Sequence, residues 1–272
     1  MLKVLKKVNG LVLASAMTIG LTNVAFAHDF WLYSNDYNPN LAKLGASTKI
    51  YFGWGHGFPI DDPLSKDKVE ELYIKNAKGK TIIEPKQASG VFVDKIVLKE
   101  QGSYVVGGIM QGGILSYTLD DKGDKVKHIG KGKKDGLKNL VSSTFYQKFA
   151  KAIINVGDSK DDVFSQPIGH TFEIIPLDNP KDLKQNDFIS IKVVHNSKPV
   201  SGADVYATYA GFSKSGDFSY ATHTNKEGIA KVRLSTLGHW MIKSNIQIEP
   251  TKEQKKDFDE ISYSATINFE VY

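Results

Sequence analysis

The stretch Ile189-Ser-Ile-Lys-Val193 alternates apolar and polar side chains, and this alternation decides the fold class. A period of two residues places alternate side chains on opposite faces of an extended chain, so it predicts a β-strand. Further short apolar segments are separated by turn residues in the same way: Thr48–Phe52, Val91–Leu98, Ser103–Val106, Ala203–Tyr209 and Ile229–Leu234. Short strands punctuated by turns are typical of β-sandwiches, so we predict an all-β fold.

One segment departs from the strand pattern. Within residues 142–153 the apolar residues Phe145, Phe149 and Ile153 recur every four positions, behind serine and threonine residues that are common at helix starts. This spacing predicts one short amphipathic helix.

A domain boundary is predicted at Pro176-Leu-Asp-Asn-Pro180, because two prolines four residues apart interrupt regular structure. Residues 28–176 would form an amino-terminal β-rich domain. Residues 177–272 have the length and strand pattern of a single compact sandwich. The predicted architecture is therefore two immunoglobulin-like or transthyretin-like β-sandwich domains with one short helix.

The first 27 residues have the layout of a secretory signal peptide. A lysine-rich start without acidic residues precedes an apolar stretch that ends in Ala25-Phe-Ala27. This order of basic region, apolar region and small-residue cleavage site predicts removal of residues 1–27 on export. The mature protein would then begin at His28, work in the periplasm and not be embedded in the membrane. The other interpretation, an uncleaved membrane anchor, fits less well because small and polar residues interrupt a short apolar stretch.

Composition excludes several classes of function. Removing Lys3, Lys6 and Lys7 with the signal peptide lowers the formal net charge from +5 to about +2, so nucleic acid is not an expected partner. The lysine-rich residues 122–138 lack aromatic side chains and are interpreted as a solvated loop, with contact to an anionic surface as the alternative. The chain has no cysteine, which excludes disulfides, thiolate metal sites, cysteine nucleophiles and a lipoprotein anchor.

Seven segments, in this order along the chain, resemble one family. They are His28-Asp-Phe-Trp-Leu32, Phe149-Ala-Lys-Ala152, residues 169–180, residues 198–205, residues 224–228, Leu237-Gly-His-Trp240 and residues 262–271. Together they resemble the DUF4198 family, described as the periplasmic component of cobalt and nickel uptake systems. The resemblance covers essentially the whole mature chain. It implies a periplasmic protein that handles a divalent transition metal and serves a membrane metal importer.

His28 is the first candidate metal ligand. After cleavage behind Ala27 it would carry both an imidazole and a free α-amine, and the amine with ring nitrogen Nδ1 can close a six-membered chelate. Such nitrogen ligands suit Ni²⁺, Co²⁺, Cu²⁺ and Zn²⁺, with raw affinity favouring copper. The alternative is an inert histidine at a frayed terminus. The apolar residues Phe30, Trp31 and Leu32 argue against fraying, because they would tie the terminus to a core.

His56 is the second candidate, within Gly53-Trp-Gly-His-Gly-Phe-Pro59. Glycine lets a loop adopt positive φ and bring its backbone close to a ligand, so a histidine there is a plausible metal ligand. The alternative is an exposed histidine in an ordinary turn. In the resembling family a histidine-bearing region near the amino terminus recurs, which favours the ligand.

His223 and His239 form a weaker candidate pair. Both lie in the predicted second domain, and the simpler interpretation is that they are surface or interface histidines. His195 and His170 are interpreted as structural. His128, in the lysine-rich segment, is the weakest candidate.

Three classes of function follow. The first is a periplasmic nickel- or cobalt-binding protein that delivers metal to an importer and is not an enzyme. The second is a copper protein with an amino-terminal histidine brace, resembling some copper monooxygenases. The third is a metal-free β-sandwich module for adhesion or assembly. Gly-x-Ser-x-Gly, phosphate-loop and His-Glu-x-x-His motifs are absent from the sequence, which gives no support to hydrolase or nucleotide chemistry.

Overall fold

The computed structural model describes residues 28–84, 92–158 and 160–272, so the predicted signal peptide and the first residue of the predicted strand Val91–Leu98 lie outside the described residues. Most of the described chain is extended. Its strands are β1 Asp29–Ser34, β2 Ala46–Gly55, β3 Val69–Asn76, β4 Gly79–Ile82, β5 Phe92–Leu98, β6 Gly102–Leu119, β7 Lys125–Ile129, β8 Leu140–Val156, β9 Phe172–Pro176, β10 Phe188–His195, β11 Lys198–Pro199, β12 Asp204–Tyr209, β13 Tyr220–His223, β14 Ile229–Arg233, β15 Gly238–Ile248 and β16 Glu260–Val271.

These strands form three sheets. A nine-stranded sheet has the order β13-β12-β15-β16-β8-β6-β3-β4, with β7 paired to the far end of β6. A three-stranded sheet has the order β1-β2-β5, and a four-stranded sheet contains β9, β10, β11 and β14. Neighbouring strands run antiparallel, except that β16 and β8 run parallel.

The nine-stranded sheet is the middle of three layers. On one face Phe149 and Ile153 pack with residues of the four-stranded sheet, such as Ile191. On the other face Ala150 and its neighbours pack with residues of the three-stranded sheet, such as Ile50. The all-β sandwich fold is therefore confirmed, and so are the six predicted strands, within the residues described.

The predicted helix over residues 142–153 is wrong, because this segment lies within strand β8. A spacing of four residues is a multiple of the strand period of two, so Phe145, Phe149 and Ile153 share one face of a strand as readily as one face of a helix. Both faces of β8 are covered by other sheets, so its inner half is buried without alternation. The usual strand signature is absent for that reason.

The helical segments of the described residues are single 3₁₀ turns. They are Lys66–Lys68, Lys133–Asp135, Val163–Ser165, Pro180–Asp182 and Gln254–Lys256. None of the helices described is long and apolar enough to cross a membrane.

The predicted domain boundary falls between β9 and the 3₁₀ turn Pro180–Asp182. The nine-stranded sheet joins strands from both sides of this point, since β8 pairs with β16. The division into two domains stays a prediction. In the lysine-rich segment the predicted loop is wrong in part, because Lys125–Ile129 form strand β7 along the edge of β6; its side chains are mostly exposed.

A buried polar network lies between β8, β9 and β3. The Lys151 ammonium contacts Glu173 Oε1 at 2.5 Å and donates to the Ile174 carbonyl at 2.9 Å. His170 Nε2 lies 2.9 Å from the Tyr73 hydroxyl, and its ring packs 5.2 Å from Phe149. Burial, and secondarily the charge of Lys151, lower the pKa of His170 well below its ordinary value. His170 is therefore neutral in the folded protein, as its structural interpretation requires.

This network predicts acid sensitivity. Because the pKa of His170 is lowered on folding, only the unfolded chain takes up the proton just below about pH 6.5, and stability is lost from there downward. Each pH unit in this window costs about 1.4 kcal/mol. The stability difference between wild type and His170→Gln should therefore shrink between pH 6.5 and 5.0 in urea unfolding, by at most about 2 kcal/mol. Tyr73→Phe, which keeps His170, should retain the wild-type slope, and parallel curves for wild type and His170→Gln would contradict the assignment.

Candidate functional site

His28 and His56 face each other across two paired strands. His28 directly precedes β1, and His56 directly follows β2. The antiparallel register places Asp29 opposite Gly55, so His28 and His56 are the next facing pair. Their ring centroids are 4.8 Å apart, with 38° between the ring planes. The structure thus brings two of the four predicted metal ligands together.

Trp54 and Asp62 flank His28. The Trp54 ring stacks on the His28 ring with 5.3 Å between centroids and 10° between planes. Asp62 Oδ2 lies 3.4 Å from His28 Nε2, and the Asp62 backbone N–H donates to the Trp54 carbonyl at 2.9 Å. A carboxylate facing Nε2 favours the imidazole tautomer protonated there, which leaves the lone pair on Nδ1. Nδ1 is the nitrogen that could chelate together with the α-amine of His28 if the predicted cleavage after Ala27 takes place.

The glycine-rich loop that carries His56 is held by Asp61. One Asp61 oxygen accepts the backbone N–H groups of His56 and Gly57, both at 2.7 Å. These two hydrogen bonds are the main reason why the pKa of Asp61 is lowered, with a smaller contribution from the two histidines. Gly55 has φ +128°, and a Cβ there would lie 2.3 Å from the Asp61 carboxylate. Glycine is therefore required at position 55, both because of the positive φ and because a side chain would clash with Asp61.

Buried aromatic residues and the neighbouring β12–β13 loop both hold the glycine-rich loop in place. Trp31, which is fully buried, donates from Nε1 to the Pro59 carbonyl at 2.8 Å. Phe58 packs against Trp31, and both belong to a small core with Met241 of strand β15. The β12–β13 loop reaches the histidine, since a Cβ at Gly216 would lie 3.0 Å from His56 Cβ. His56 is therefore exposed but held on a well-packed loop.

His239 lies at the opposite end of β1. Its Nδ1 is 2.8 Å from the Tyr33 hydroxyl, and its Nε2 is 3.2 Å from Glu270. Burial raises the pKa of Glu270, but hydrogen bonds from His239 and Tyr272 outweigh burial and lower it overall. Five residues of extended chain separate Tyr33 from His28, which is about 16 Å. His239 is thus placed in a separate network.

His223 lies on the edge strand β13 and is mostly exposed. Its Nε2 is 3.0 Å from Asp204, the residue directly opposite in the register. This is a cross-strand surface pair, in keeping with the simpler interpretation of this residue. Whether His223 or His239 binds metal stays a prediction.

In the residues that the structure describes, no group of three or more histidine, aspartate or glutamate side chains is arranged to hold a metal ion. His28 and His56 supply two imidazoles, and Asp62 lies next to one of them. A third nitrogen ligand would have to be the α-amine that His28 would carry if the predicted signal peptide were removed. With that amine, the two imidazoles would complete a set of three nitrogen ligands, which suits a divalent transition metal. Without the amine, the side chains present do not fit such a metal.

An ion pair that the sequence pattern does not reveal lies directly beneath the site. Asp29 and Lys243 are both buried, and Asp29 Oδ1 lies 2.6 Å from the lysine ammonium. The contact has the distance of an ion pair without the angles of a hydrogen bond. The one signal in the sequence is that Lys243 directly follows the apolar residues Trp240-Met-Ile242, and this signal does not identify its partner.

A family model described as "Domain of unknown function (DUF4198)" matches residues 25–247. No curated protein matches the chain significantly. Among solved structures, the fibronectin(III)-like modules of Clostridium thermocellum CbhA share 8% identity at a TM-score of 0.22, covering 88% of this chain and 93% of that chain. A Parabacteroides merdae β-glucuronidase shares 8% identity at a TM-score of 0.22, covering 90% and 24%. The D00-D0 domain of Intimin shares 12% identity at a TM-score of 0.20, covering 88% and 98%.

Proposed function

This chain belongs to the DUF4198 family, and from that premise we propose that it is a periplasmic protein that binds a divalent transition metal and serves a membrane uptake system. The observation that carries the proposal is the pairing of His28 with His56, whose ring centroids are 4.8 Å apart. The proposed cargo is Ni²⁺ or Co²⁺, in line with the role described for the family. The protein is proposed to act as a carrier rather than as an enzyme.

The proposed site has three nitrogen ligands. His28 would contribute its α-amine and Nδ1, and His56 would contribute one imidazole nitrogen across the strand pair. Asp62, beside His28 Nε2, would orient the His28 ring. The site would be compact because both histidines are fixed by the β1–β2 register and the His56 loop is held by Asp61.

Acidification would release the metal. An α-amine with an ordinary pKa of about 7.7–8.0 must lose its proton to bind a metal, so binding and proton release are coupled. We expect affinity to fall steadily as the pH is lowered from 8 to 6. This dependence would let a carrier give up its cargo to an acidic receiving site on the importer.

The decisive experiment is calorimetric titration of Ni²⁺, Co²⁺ and Cu²⁺ into two forms of the protein. One form begins at His28 with a free amine, and the other carries one extra residue before it. Tight binding that is lost in the extended form would support the proposed site. Equal binding by both forms would move the site to internal histidines, and no binding by either would favour a metal-free module. Since raw affinity favours copper, a copper-only result with ascorbate-driven redox activity would favour the histidine-brace alternative.

Removing either imidazole should weaken binding strongly. We expect His28→Ala and His56→Ala each to reduce Ni²⁺ or Co²⁺ affinity by more than about tenfold, because each deletes one of three nitrogen ligands. The measurement is the same titration on protein that starts at residue 28. His128→Ala is the control, since His128 lies on the edge strand β7 and bonds Thr118. Wild-type affinity in both His28 and His56 variants would overturn the proposed site.

A further inference from the structure

The first residues of β1 are fastened to the opposite half of the chain. Directly after His28, the Asp29 carboxylate enters the interior and meets Lys243 of strand β15 at 2.6 Å. The exposed fraction of the two side chains is 8% and 6%. One residue further, the Phe30 carbonyl accepts a hydrogen bond from the buried Thr266 hydroxyl of β16 at 2.8 Å. If the predicted cleavage makes His28 the first residue, this terminus is held far more firmly than the frayed termini of most domains.

We propose that Lys243 is a positioning residue for the site at His28: through Asp29 it holds the α-amine and ring of His28 opposite His56. This inference rests on the proposed function for its metal readout, but the geometry itself concerns only the docking of β1. Asp29 is covalently next to His28, and its register partner Gly55 is next to His56. Any shift of Asp29 therefore changes the spacing of the two histidines.

The expected behaviour follows from the loss of a close ionic partner in the interior. In Lys243→Met, Asp29 would lose its contact with the lysine ammonium and would move outward to reach water. The first residues of β1 would leave the sheet with it. Lys148, a second buried lysine on this face, also interacts with the charge of Asp29, so in Lys243→Met the carboxylate keeps a cation in its surroundings but loses its contact at 2.6 Å.

Two readouts test the proposal on protein that starts at His28. The first is Ni²⁺ affinity by calorimetry, which should fall about tenfold or more in Lys243→Met, the usual range for residues that orient a metal ligand. The second is the rate at which an aminopeptidase releases His28, measured by mass spectrometry, which should rise. Lys243→Arg keeps the cation and should retain wild-type values in both assays.

A matched control separates positioning from general loss of stability. Lys151→Met also removes a buried lysine from its carboxylate, but on the opposite face of the central sheet. It should leave both Ni²⁺ affinity and His28 release unchanged in the folded protein. Equal effects of Lys151→Met and Lys243→Met would overturn the proposal, as would wild-type values in Lys243→Met.

If Lys243→Met does not fold, the double variant Asp29→Leu with Lys243→Met decides, because an apolar pair can replace a buried ion pair. Weaker Ni²⁺ binding and faster release of His28 in this folded variant would support positioning by the ion pair, and wild-type values in both assays would overturn the proposal. Failure of the proposed function is distinguishable. If wild type binds no Ni²⁺, the release assay still tests the positioning by Lys243.

Discussion

Replacing Lys151 with methionine is expected to lower the free energy of unfolding by about 3–5 kcal/mol. Lys151 and Glu173 are fully buried and form an ion pair at 2.5 Å. Glu173 also accepts the backbone N–H groups of Ile168 and Gly169, which partly solvate its charge. Without the lysine these two bonds cannot compensate a buried carboxylate, so the folded state loses stability relative to the unfolded chain. Urea unfolding at pH 7 measures the loss.

The double variant Lys151→Met with Glu173→Gln should be more stable than Lys151→Met alone. The glutamine oxygen can still accept a backbone N–H, and no charge remains buried. Asp158→Asn is the surface control, since Asp158 is exposed and pairs with Lys181. It should be indistinguishable from wild type. A double variant less stable than the single one would show that the ion pair itself, rather than the orphaned charge, dominates.

Replacing Gly53 with alanine is expected to destabilise the protein by about 3 kcal/mol or to prevent folding. A Cβ at Gly53 would lie 1.9 Å from the indole ring of Trp31, which is fully buried. The indole would have to move, although its Nε1 is bonded to the Pro59 carbonyl and its ring packs against Phe58. Unfolding followed by tryptophan fluorescence measures the effect.

Gly57→Ala is the matched control in the same loop. A Cβ there would meet the Asp61 carboxylate at 3.4 Å, which is ordinary contact. Its stability should stay within about 0.5 kcal/mol of wild type. Similar losses in both variants would mean that the loop rejects any side chain, and that the clash with Trp31 is not the cause.

Much of the fold could be predicted from short-range patterns. Ile189–Val193 alternates because one face of β10 meets the core. Residues 142–153 could not be assigned in this way, because β8 is covered on both faces and its apolar spacing of four suits a strand and a helix alike. What decides between them is the pairing of β8 with β6 and β16, which is not encoded in the local segment.

The candidate site likewise contains residues that short-range patterns predict and residues that they do not. His28 and His56 were identified from local features, an expected new terminus and a glycine-rich loop, and a hairpin-like pairing of β1 with β2 brings them together. The place of His239 depends on β15 packing beside β1, so its partner Tyr33 lies 206 positions away. Lys243 was missed for the same reason. Periodicity indicates that such a residue is inside but not which charge it meets.

Strand β16, Glu260–Val271, is late in the chain and yet lies inside the central sheet, between β15 and β8. Its partners on β8 are 116 positions earlier, as for Lys148 and Ser264. Synthesis delivers a chain from its amino terminus, so one edge of β8 stays unpaired until these residues have been made. Contacts over such distances form slowly, and open edges invite pairing with other chains. A chain interrupted before Glu260 would therefore leave the facing edges of β8 and β15 unpaired, and such edges are sites of aggregation.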